Sequence, residues 1–436
     1  MSTFFLAHYV RFAYHVRFAR YRCPAVALCL AGSFLSASAQ GLAHPGVAES
    51  AADLSARSPS LAVAVEAAWR LGAASRSLTN RQAGLDARQQ AARSWLSGPP
   101  SLNLSRRTDR LNTNQGLREY EAGLLMPLWS PGTRAATSAQ VDAERAVLST
   151  EPQAGQLKLA GELRELAASA ALARLERDLA QRREQEATEL LQDTQRRVKS
   201  GERPRIDALQ ADAALRVVAV QRVQAGMALA QLQSQWRALT GLQAVSLPDE
   251  SLRAATTSAL MSHPLLANAV ASVRAAEARL KLAEADTRDA PEMSLGVIRD
   301  RSLRSDPALN SLRIGVRIPF GGVNRSAPRI AAARAELDTA QAEFDAIERR
   351  LAAELITSRD SVASARLAER LATERAAFSA EAQTLVAKAY QLGESDLPTR
   401  LRTDNEGFEA DLALARARTE TQRAVARFHQ SSGLLP

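Results

Sequence analysis

A step of 192 residues runs through this chain. Gly123-Leu124-Leu125-Met126-Pro127-Leu128 is answered by Gly315-Val316-Arg317-Ile318-Pro319-Phe320, and Pro127 to Pro319 is a step of 192. The same step separates Gly201 from Gly393, each followed by a glutamate, as well as Leu209 from Leu401 and Asp212 from Asp404. It also separates Trp236 from Phe428 and Gly241-Leu242 from Gly433-Leu434. Alanine-rich helices generate chance likeness, but a constant step through a strand end, a turn and a terminus is not a chance product. The chain is a tandem duplication, with repeats expected over 40–241 and 242–436, so whatever it folds into is built twice.

Each half reads helix, two strands, long helix, turn, long helix. The strands follow from alternation with a period of two. From Leu312 to Phe320 every even position is apolar, and every odd one is Arg, Gly or Pro. From Tyr120 to Leu128 the even positions are again apolar, while Glu121 and Gly123 face the other way. Leu102–Ser105 and Met293–Val297 are the shorter partners, giving strand pairs at about 100–128 and 292–320, with polar loops over Thr108–Gly116 and Arg299–Asn310. Such strands can put one face in lipid and the other in water, the pattern of a transmembrane barrel. Leu312, Ile314, Val316 and Ile318 are then expected toward the bilayer, with Arg313 and Arg317 toward the lumen. Four strands have open edges, which lipid does not tolerate, so closure demands partner subunits.

The helices are long and carry apolar seams. Ile330, Leu337, Phe344 and Leu351 recur every seven residues, and Ile206, Leu209, Ala213, Val217, Val220, Val223 and Met227 step by three and four. A sustained seven-residue repeat imposes left-handed supercoiling. Hydrophobic residues make up 46% of the chain but aromatics only 4%, as suits long helices packed by small side chains rather than an enzyme core. The expected fold is therefore mainly α with a small β part: duplicated coiled-coil hairpins plus four strands. Gly201-Glu202 and Gly393-Glu394 interrupt the helical pattern and mark the hairpin tips, with Pro204 and Pro398 in the following first turns.

Residues 1–39 read as an export signal: Arg11, Arg17, Arg20 and Arg22, an apolar run from Ala25 to Leu35, then Ala37-Ser38-Ala39 before the cut. These four arginines supply +4 of a net charge of +9, and the remaining charge is spread over alternating-sign helices. No basic–aromatic stripe accompanies it, which sets nucleic acid aside. Both cysteines, Cys23 and Cys29, lie in the segment to be removed, so the mature chain has neither disulfide nor thiolate site.

In this order and twice over, these residues resemble the TolC-like outer-membrane efflux family. The motifs are a strand ending in Pro-Leu or Pro-Phe before a coiled coil, the Gly-Glu turns with Leu209 and Leu401 beyond them, and His263-Pro264-Leu265-Leu266 opening an Ala/Glu/Arg helix. Their style is close to the cobalt-zinc-cadmium-type branch. The resemblance implies a homotrimer in which each subunit gives four strands to a shared barrel in the outer membrane, and whose hairpins form a periplasmic tunnel. It further implies a periplasmic adaptor (membrane fusion) protein meeting the tips, and an inner-membrane pump of the resistance-nodulation-division type beyond it. On that arrangement Gly201, Glu202, Gly393 and Glu394 would be the adaptor-docking tips.

No nucleotide-binding loop, catalytic triad signature or metal-ligand spacing appears, so neither an enzyme nor a cofactor is expected. His263, before Pro264 at a helix start, reads as structural, and His429 as a surface residue. Glu121, Arg313 and Arg317 are candidate lumen charges; Glu121 and Arg313 stand one repeat apart, so opposite charges are expected at similar height. Asp207, Asp212 and Asp404 flank the turns and could ring a cation-selective aperture, or simply pair along their helices. The competing class is a periplasmic coiled-coil adaptor or scaffold, which shares the signal and heptads but carries one hairpin and no duplicated strand pair.

Overall fold

A computed structural model describes residues 60–245, 250–252, 262–320 and 323–436; the expected signal segment lies outside them. The elements run in chain order as α1 (Leu61–Leu71), α2 (Ala73–Arg93), β1 (Ser101–Thr108), β2 (Arg118–Pro127), α3 (Thr133–Lys199) and α4 (Arg205–Thr240). The second repeat follows as α5 (Pro264–Ala285), β3 (Glu292–Arg301), β4 (Leu309–Arg317), α6 (Val323–Leu392) and α7 (Leu397–Ser431). Each expected element is present, and the duplication is visible as α3–α4 and α6–α7, two hairpins of like design.

The helices arrange themselves around α3. It has 67 residues and runs through Pro152 without ending, a length of about 100 Å. It packs against α1, α2, α4, α5 and α7, while α6, with 70 residues, packs against α5 and α7. Two tiers result. Nearer the strands the order across the layer is α2, α3, α5, α6; toward the turns it is α4, α3, α7, α6. Alanine makes this close approach available: Ala154, Ala160, Ala167, Ala168, Ala170, Ala171 and Ala173 of α3 are all buried. At Gly155 even a methyl group would not fit, since a Cβ there would stand 2.5 Å from Cζ3 of Trp69.

Trp236 and Phe428, one repeat apart, fill equivalent roles. Trp236 closes the cluster of Leu61, Ala64, Val65 and Ala68 against Ala160, Leu163 and Ala167, and Phe428 closes that of Val362, Ala365, Ala424 and Val425. The seam read on α4 does not face this core. Its buried face is Asp207, Ala211, Val218, Leu229 and Trp236, whereas Ile206, Leu209, Val217, Val220, Val223 and Met227 are each more than half exposed. Small residues facing α3 suffice for the close approach, and the larger apolar ones point away. A second stripe, Leu371, Phe378, Leu385 and Leu392, is exposed at a seven-residue step on α6. The two bare stripes lie on the two outermost helices of the lower tier.

The four strands form one antiparallel sheet in the order β1-β2-β3-β4, with β2–β3 joining the two repeats. The strands extend further toward the loops than the alternation predicts, while β4 stops at Arg317, short of the expected Phe320, so Ile318 lies just beyond it. The loop expected over Arg299–Asn310 is shortened because pairing continues through Arg299↔Asn310 and Asp300↔Leu309, and β1 runs on through Arg106 and Arg107 to Thr108. Backbone pairing needs no apolar side chain, so the pattern ends before the ladder does.

A buried ion network ties the last turns of α7 and the residues after it to α3 and to Glu250 between the two repeats. Arg164 of α3, 3% exposed, donates to both carboxylate oxygens of Glu250, at 2.9 Å from Nη2 to Oε1 and 3.2 Å from Nε to each oxygen. The same guanidinium donates to Oε1 of Gln430 at 2.9 Å and to the carbonyl of Leu434 at 3.0 Å. Nδ1 of His429 lies 3.2 Å from Glu250. His429 was expected at the surface but is only 2% exposed: the chain turns back at Gly433, where φ is +72°, and Glu250 packs over the imidazole. His263 caps α5, its Nδ1 accepting the amide of Leu265 at 3.2 Å, and burial pushes its pKa down, which keeps it neutral for that role.

Burial pushes the Glu250 carboxyl pKa up, but hydrogen bonds from His429 and Arg164 and their charges outweigh it, so the net shift is downward. A carboxylate with a depressed pKa contributes stability above its unfolded value, about 4.3, and loses it as pH falls through the lower folded value. The contribution is thus complete at neutral pH and lost in acid. Glu250→Gln leaves a buried guanidinium without its counter-charge, a loss of about 3–5 kcal/mol. The thermal midpoint of the helical circular-dichroism signal should drop by several degrees at pH 7. The gap between variant and wild type should narrow only in acid, as pH falls through the depressed native value and the native carboxylate is itself protonated.

Candidate functional site

The sheet has two chemically different faces. In antiparallel pairs, directly opposed residues project to the same side, so the register sorts every side chain. On one face stand Leu102 and Leu104 of β1; Ala122, Leu124 and Met126 of β2; Met293, Leu295 and Val297 of β3; and Leu312, Ile314 and Val316 of β4. These ranks are open to the surroundings: Leu102, Leu312 and Ile314 are 68%, 65% and 67% exposed. An apolar face this broad and bare is not one that water stabilises.

The opposite face carries all four of the strands' carboxylates, Glu119, Glu121, Glu292 and Asp300, together with Arg107, Arg313 and Arg317. Arg313 Nη1 lies 2.7 Å from Oε1 of Glu121, Arg317 lies 3.4 Å from Glu292, and Arg107 lies 4.0 Å from Glu119. The first of these pairs spans an intervening strand, since β2 and β4 are both neighbours of β3 and not of each other. Gly296 lies between them: it pairs with Gly123 on one side and Arg313 on the other. With no side chain at Gly123 or Gly296, the two long charged chains meet across β3. Residues one repeat apart are thus not merely at similar height but in contact.

At the other end of the helices the two turns are built alike. Gly201 and Gly393 have φ of +80° and +83°, a conformation that glycine adopts without strain. Gly201 N donates to the carbonyl of Val198 and Glu202 N to that of Arg197; Gly393 N donates to Tyr390 and Glu394 N to Ala389. Both are therefore Schellman caps of the preceding long helix. Glu202 and Glu394 supply backbone donors to these caps, and their side chains are exposed. Asp396 then caps α7 by accepting the amide of Thr399 at 3.0 Å.

The two turns also hold each other, through residues that sequence reasoning missed. Arg203 donates to the carbonyl of Ser395 at 3.1 Å and Arg197 to that of Gln391 at 3.3 Å. The guanidinium carbons of Arg197 and Arg203 stand 5.6 and 4.9 Å from the Tyr390 ring centroid. The Tyr390 hydroxyl lies 3.2 Å from Oγ1 of Thr194. The signal was present: Tyr390 answers Val198 in the other repeat, so an aromatic replaces an aliphatic where the halves meet.

Asp207, Asp212 and Asp404 sit in three different settings. Asp207 is buried in the first turn of α4. Asp212 pairs with Arg216 at 3.1 Å and Asp404 with Arg400 at 2.8 Å, each four residues along its helix. Asp404 lies beside Arg183, Glu186 and Arg400 in a cavity of about 250 Å³ between α3, α4 and α7. Burial raises its pKa, against the opposing pull of Arg400 and Arg183. Among the described residues no group of His, Cys, Asp and Glu is arranged to hold a metal ion, and no helix is long and apolar enough to cross a membrane.

Residues 255–434, nearly all of the second repeat, match the outer membrane efflux protein family. No curated protein matches the chain. Among solved structures it is similar to the outer membrane protein VceC of Vibrio cholerae, with 15% identity, a TM-score of 0.68, and coverage of 86% of this chain and 96% of that one. The CmeC outer membrane channel of Campylobacter jejuni gives 13% identity and 0.69 over 86% and 84%. The open state of the MtrE outer membrane channel of Neisseria gonorrhoeae gives 16% identity and 0.67 over 86% and 89%. The resemblance to TolC-like proteins is borne out, and the fold is theirs. The matching family is that of outer membrane efflux proteins, and CmeC and MtrE are outer membrane channels.

The sorting of faces yields a paired test. Val316→Arg puts a cation among the apolar ranks, a change costing about 2–4 kcal/mol at the midplane of a membrane barrel. Arg313→Gln removes a charge from the other face. The first should sharply lower the amount of membrane-assembled protein on a heat-modifiability gel, and the second should leave it near wild type. Equal losses from both would contradict the assignment of faces.

Proposed function

We propose that this chain is one subunit of a passive outer-membrane exit duct in a tripartite efflux system, conducting substrates from the periplasm to the exterior. The observation that carries the reading is the sheet, with one broad apolar face, one charged and internally paired face, and unpaired edges at both β1 and β4. In hydrocarbon an unpaired edge is not viable. The β1 edge of one subunit and the β4 edge of the next satisfy each other. The bare stripes on α4 and α6 lie on the two flanks of the helical layer and are suited to the same head-to-tail contact. Contacts of this kind form a ring when the rotation from one subunit to the next closes. By analogy with the TolC-like fold the ring is a homotrimer, its barrel in the cell outer membrane and its helices extending into the periplasm.

On this reading Glu121, Arg313 and Arg317 line the lumen, and their pairing makes the barrel only weakly selective. Asp207, Asp212 and Asp404 lie toward the periplasmic entrance, where Asp212 and Asp404 act first as helix partners of Arg216 and Arg400. Gly201, Glu202, Gly393 and Glu394 form about six tips in the ring. These dock a periplasmic adaptor, which in turn joins an inner-membrane pump of the resistance-nodulation-division type. Substrate choice belongs to the pump, so the duct needs no cofactor or binding motif of its own. A coiled-coil adaptor or scaffold has no use for a four-stranded sheet with a bare apolar face, and for that reason the duct is preferred.

Two measurements test the reading. Glu121→Gln leaves Arg313 without its partner, so the reversal potential of the reconstituted channel in a salt gradient should shift toward anions; an unchanged potential argues against any lumen role. Gly393→Trp and Glu394→Arg, with their counterparts at Gly201 and Glu202, should abolish toxicant resistance and adaptor crosslinking while outer-membrane trimer abundance stays the same. Survival of resistance and crosslinking in all of these variants would show that the turns are not the docking end.

A further inference from the structure

The charges of the sheet are not shared evenly between its faces. Seven arginines lie on the strands, and the three on the carboxylate-bearing face each have an acid partner. The other four are Arg106, Arg118, Arg299 and Arg301, and they share the apolar face, which carries no carboxylate. They are grouped at one end of it. Arg106, Tyr120, Arg299 and Asn310 form one rank across the sheet, and Thr108, Arg118 and Arg301 form the next. Below them come only apolar ranks, beginning with Leu104, Ala122, Val297 and Leu312. The arginine end adjoins the loops between paired strands and is the end away from the helices.

Nearby acids do not neutralise this group. Among the described residues none of the four forms an ion pair. Asp109 in the first loop accepts the amides of Gln115 and Gly116, at 2.6 and 3.1 Å, and Asp306 in the second accepts that of Leu303 at 3.2 Å. Both carboxylates are used to shape their own loops. Arg106 lies over the Tyr120 ring at 5.4 Å, which holds its guanidinium at the level of the rank. Nε of Arg301 is buried with no hydrogen-bond partner among the described residues. Ala122 is the smallest side chain of its rank, and here a shallow concavity of about 470 Å³ opens, lined by Leu104, Ala122 and Val297 below and Arg106, Tyr120 and Arg299 above, with Ser105 and Glu121, which alternate to the other face, completing the lining.

We propose that this patch binds a phosphorylated glycolipid of the outer leaflet, with an acyl chain over Leu104, Ala122 and Val297 and phosphates against Arg106, Arg118, Arg299 and Arg301. The inference rests on the exit-duct reading, which puts this face in lipid and this end at the outer surface. Charge complementarity selects the occupant. Unpaired guanidinium groups at the upper border of an apolar band meet anionic headgroups, and phosphate suits the guanidinium fork. A partner protein would need acids aligned in two ranks above a wholly apolar surface, and a free anion would leave the concavity unfilled. The patch holds the annular lipid in register with the barrel and seals the barrel against the leaflet.

The test uses the purified full-length protein in neutral detergent, with a diphosphorylated acylated disaccharide lipid as probe and native mass spectrometry or fluorescence as readout. Near an anionic surface each arginine contributes roughly a fivefold change in affinity. R106Q/R299Q and R118Q/R301Q should therefore each weaken binding by about twentyfold, while Arg110→Gln, in the loop and off the sheet face, should leave it within about twofold. Dephosphorylated lipid should bind wild type no better than it binds the double variants. Raising salt from about 0.05 to about 0.5 M should weaken only the phosphorylated probe. This last arm needs no variant to fold.

The inference is overturned if the double variants, assembled as judged by heat-modifiable migration, bind the lipid as wild type does. Equal binding of the dephosphorylated lipid, or a salt-independent affinity, overturns it as well. Full displacement of the lipid by millimolar inorganic phosphate would make the patch a free-phosphate site instead. Should wild type itself form no oligomeric barrel, the exit-duct reading fails; should it form one and yet ignore phosphate and arginine, only the lipid inference fails.

Discussion

Close approach of helices along α3 is the contact on which the rest of this molecule depends. Five of the other helices pack against it, and they do so over alanine. A buried alanine adds little transfer energy, but it loses no side-chain entropy and lets two backbones draw together. Summed over some 100 Å of helix, many small contacts replace the few large ones of a globular core. The scarcity of aromatics follows from this. Of the large residues that are present, Trp236 packs where the first hairpin meets the short α1, and Phe428 packs within the second hairpin, between α7 and α6. Arg164 adds a polar lock at the same level, joining α3 to the connecting segment and to the end of α7. Such a lock fixes register better than an alanine seam, whose many equivalent steps would otherwise permit sliding.

From that frame the sheet inherits its position and its problem. The helices bring β2 and β3 together, so that the two repeats share one sheet, but they leave β1 and β4 without neighbours. The same incompleteness recurs in the helices, where α4 and α6 keep apolar stripes that nothing in the chain covers. An isolated chain therefore ends on both flanks with unmet hydrogen bonds and bare apolar surface. Both deficits point sideways, in the plane of the sheet and of the helical layer. This is why assembly into a ring is proposed on physical grounds as well as by likeness of fold.

Duplication gives two similar turns, yet they are not independent copies. Tyr390 takes the place of Val198, and the aromatic ring receives Arg197 and Arg203 from the first repeat. The barrel end shows a corresponding break of symmetry: Glu121 and Arg313, equivalent positions with opposite charges, meet across Gly296. In both places the repeats diverged where they touch. Where equivalent positions of the two repeats come into contact, identical charges would repel, whereas opposite ones attract.

Much of the fold was legible because its signals are periodic or repeated. Alternation at Leu312–Ile318, glycine before glutamate at 201 and 393, and proline at or just past the strand end at 127 and 319 are local chemistry, and each appears twice. The sequence by itself determined the elements, their order, the duplication and the two faces of every strand, since backbone conformation and binary pattern depend on near neighbours. The tertiary structure decided what lies opposite what. Only packing could show that the seam of α4 turns away from its own hairpin, that His429 is buried under Glu250, or that the strands run on past their apolar pattern. Only register could show that all four strand carboxylates share a face with three arginines, while four other arginines stand without partners above an apolar band. Pairing across strands is a relation between residues far apart in the chain, and no local pattern carries it.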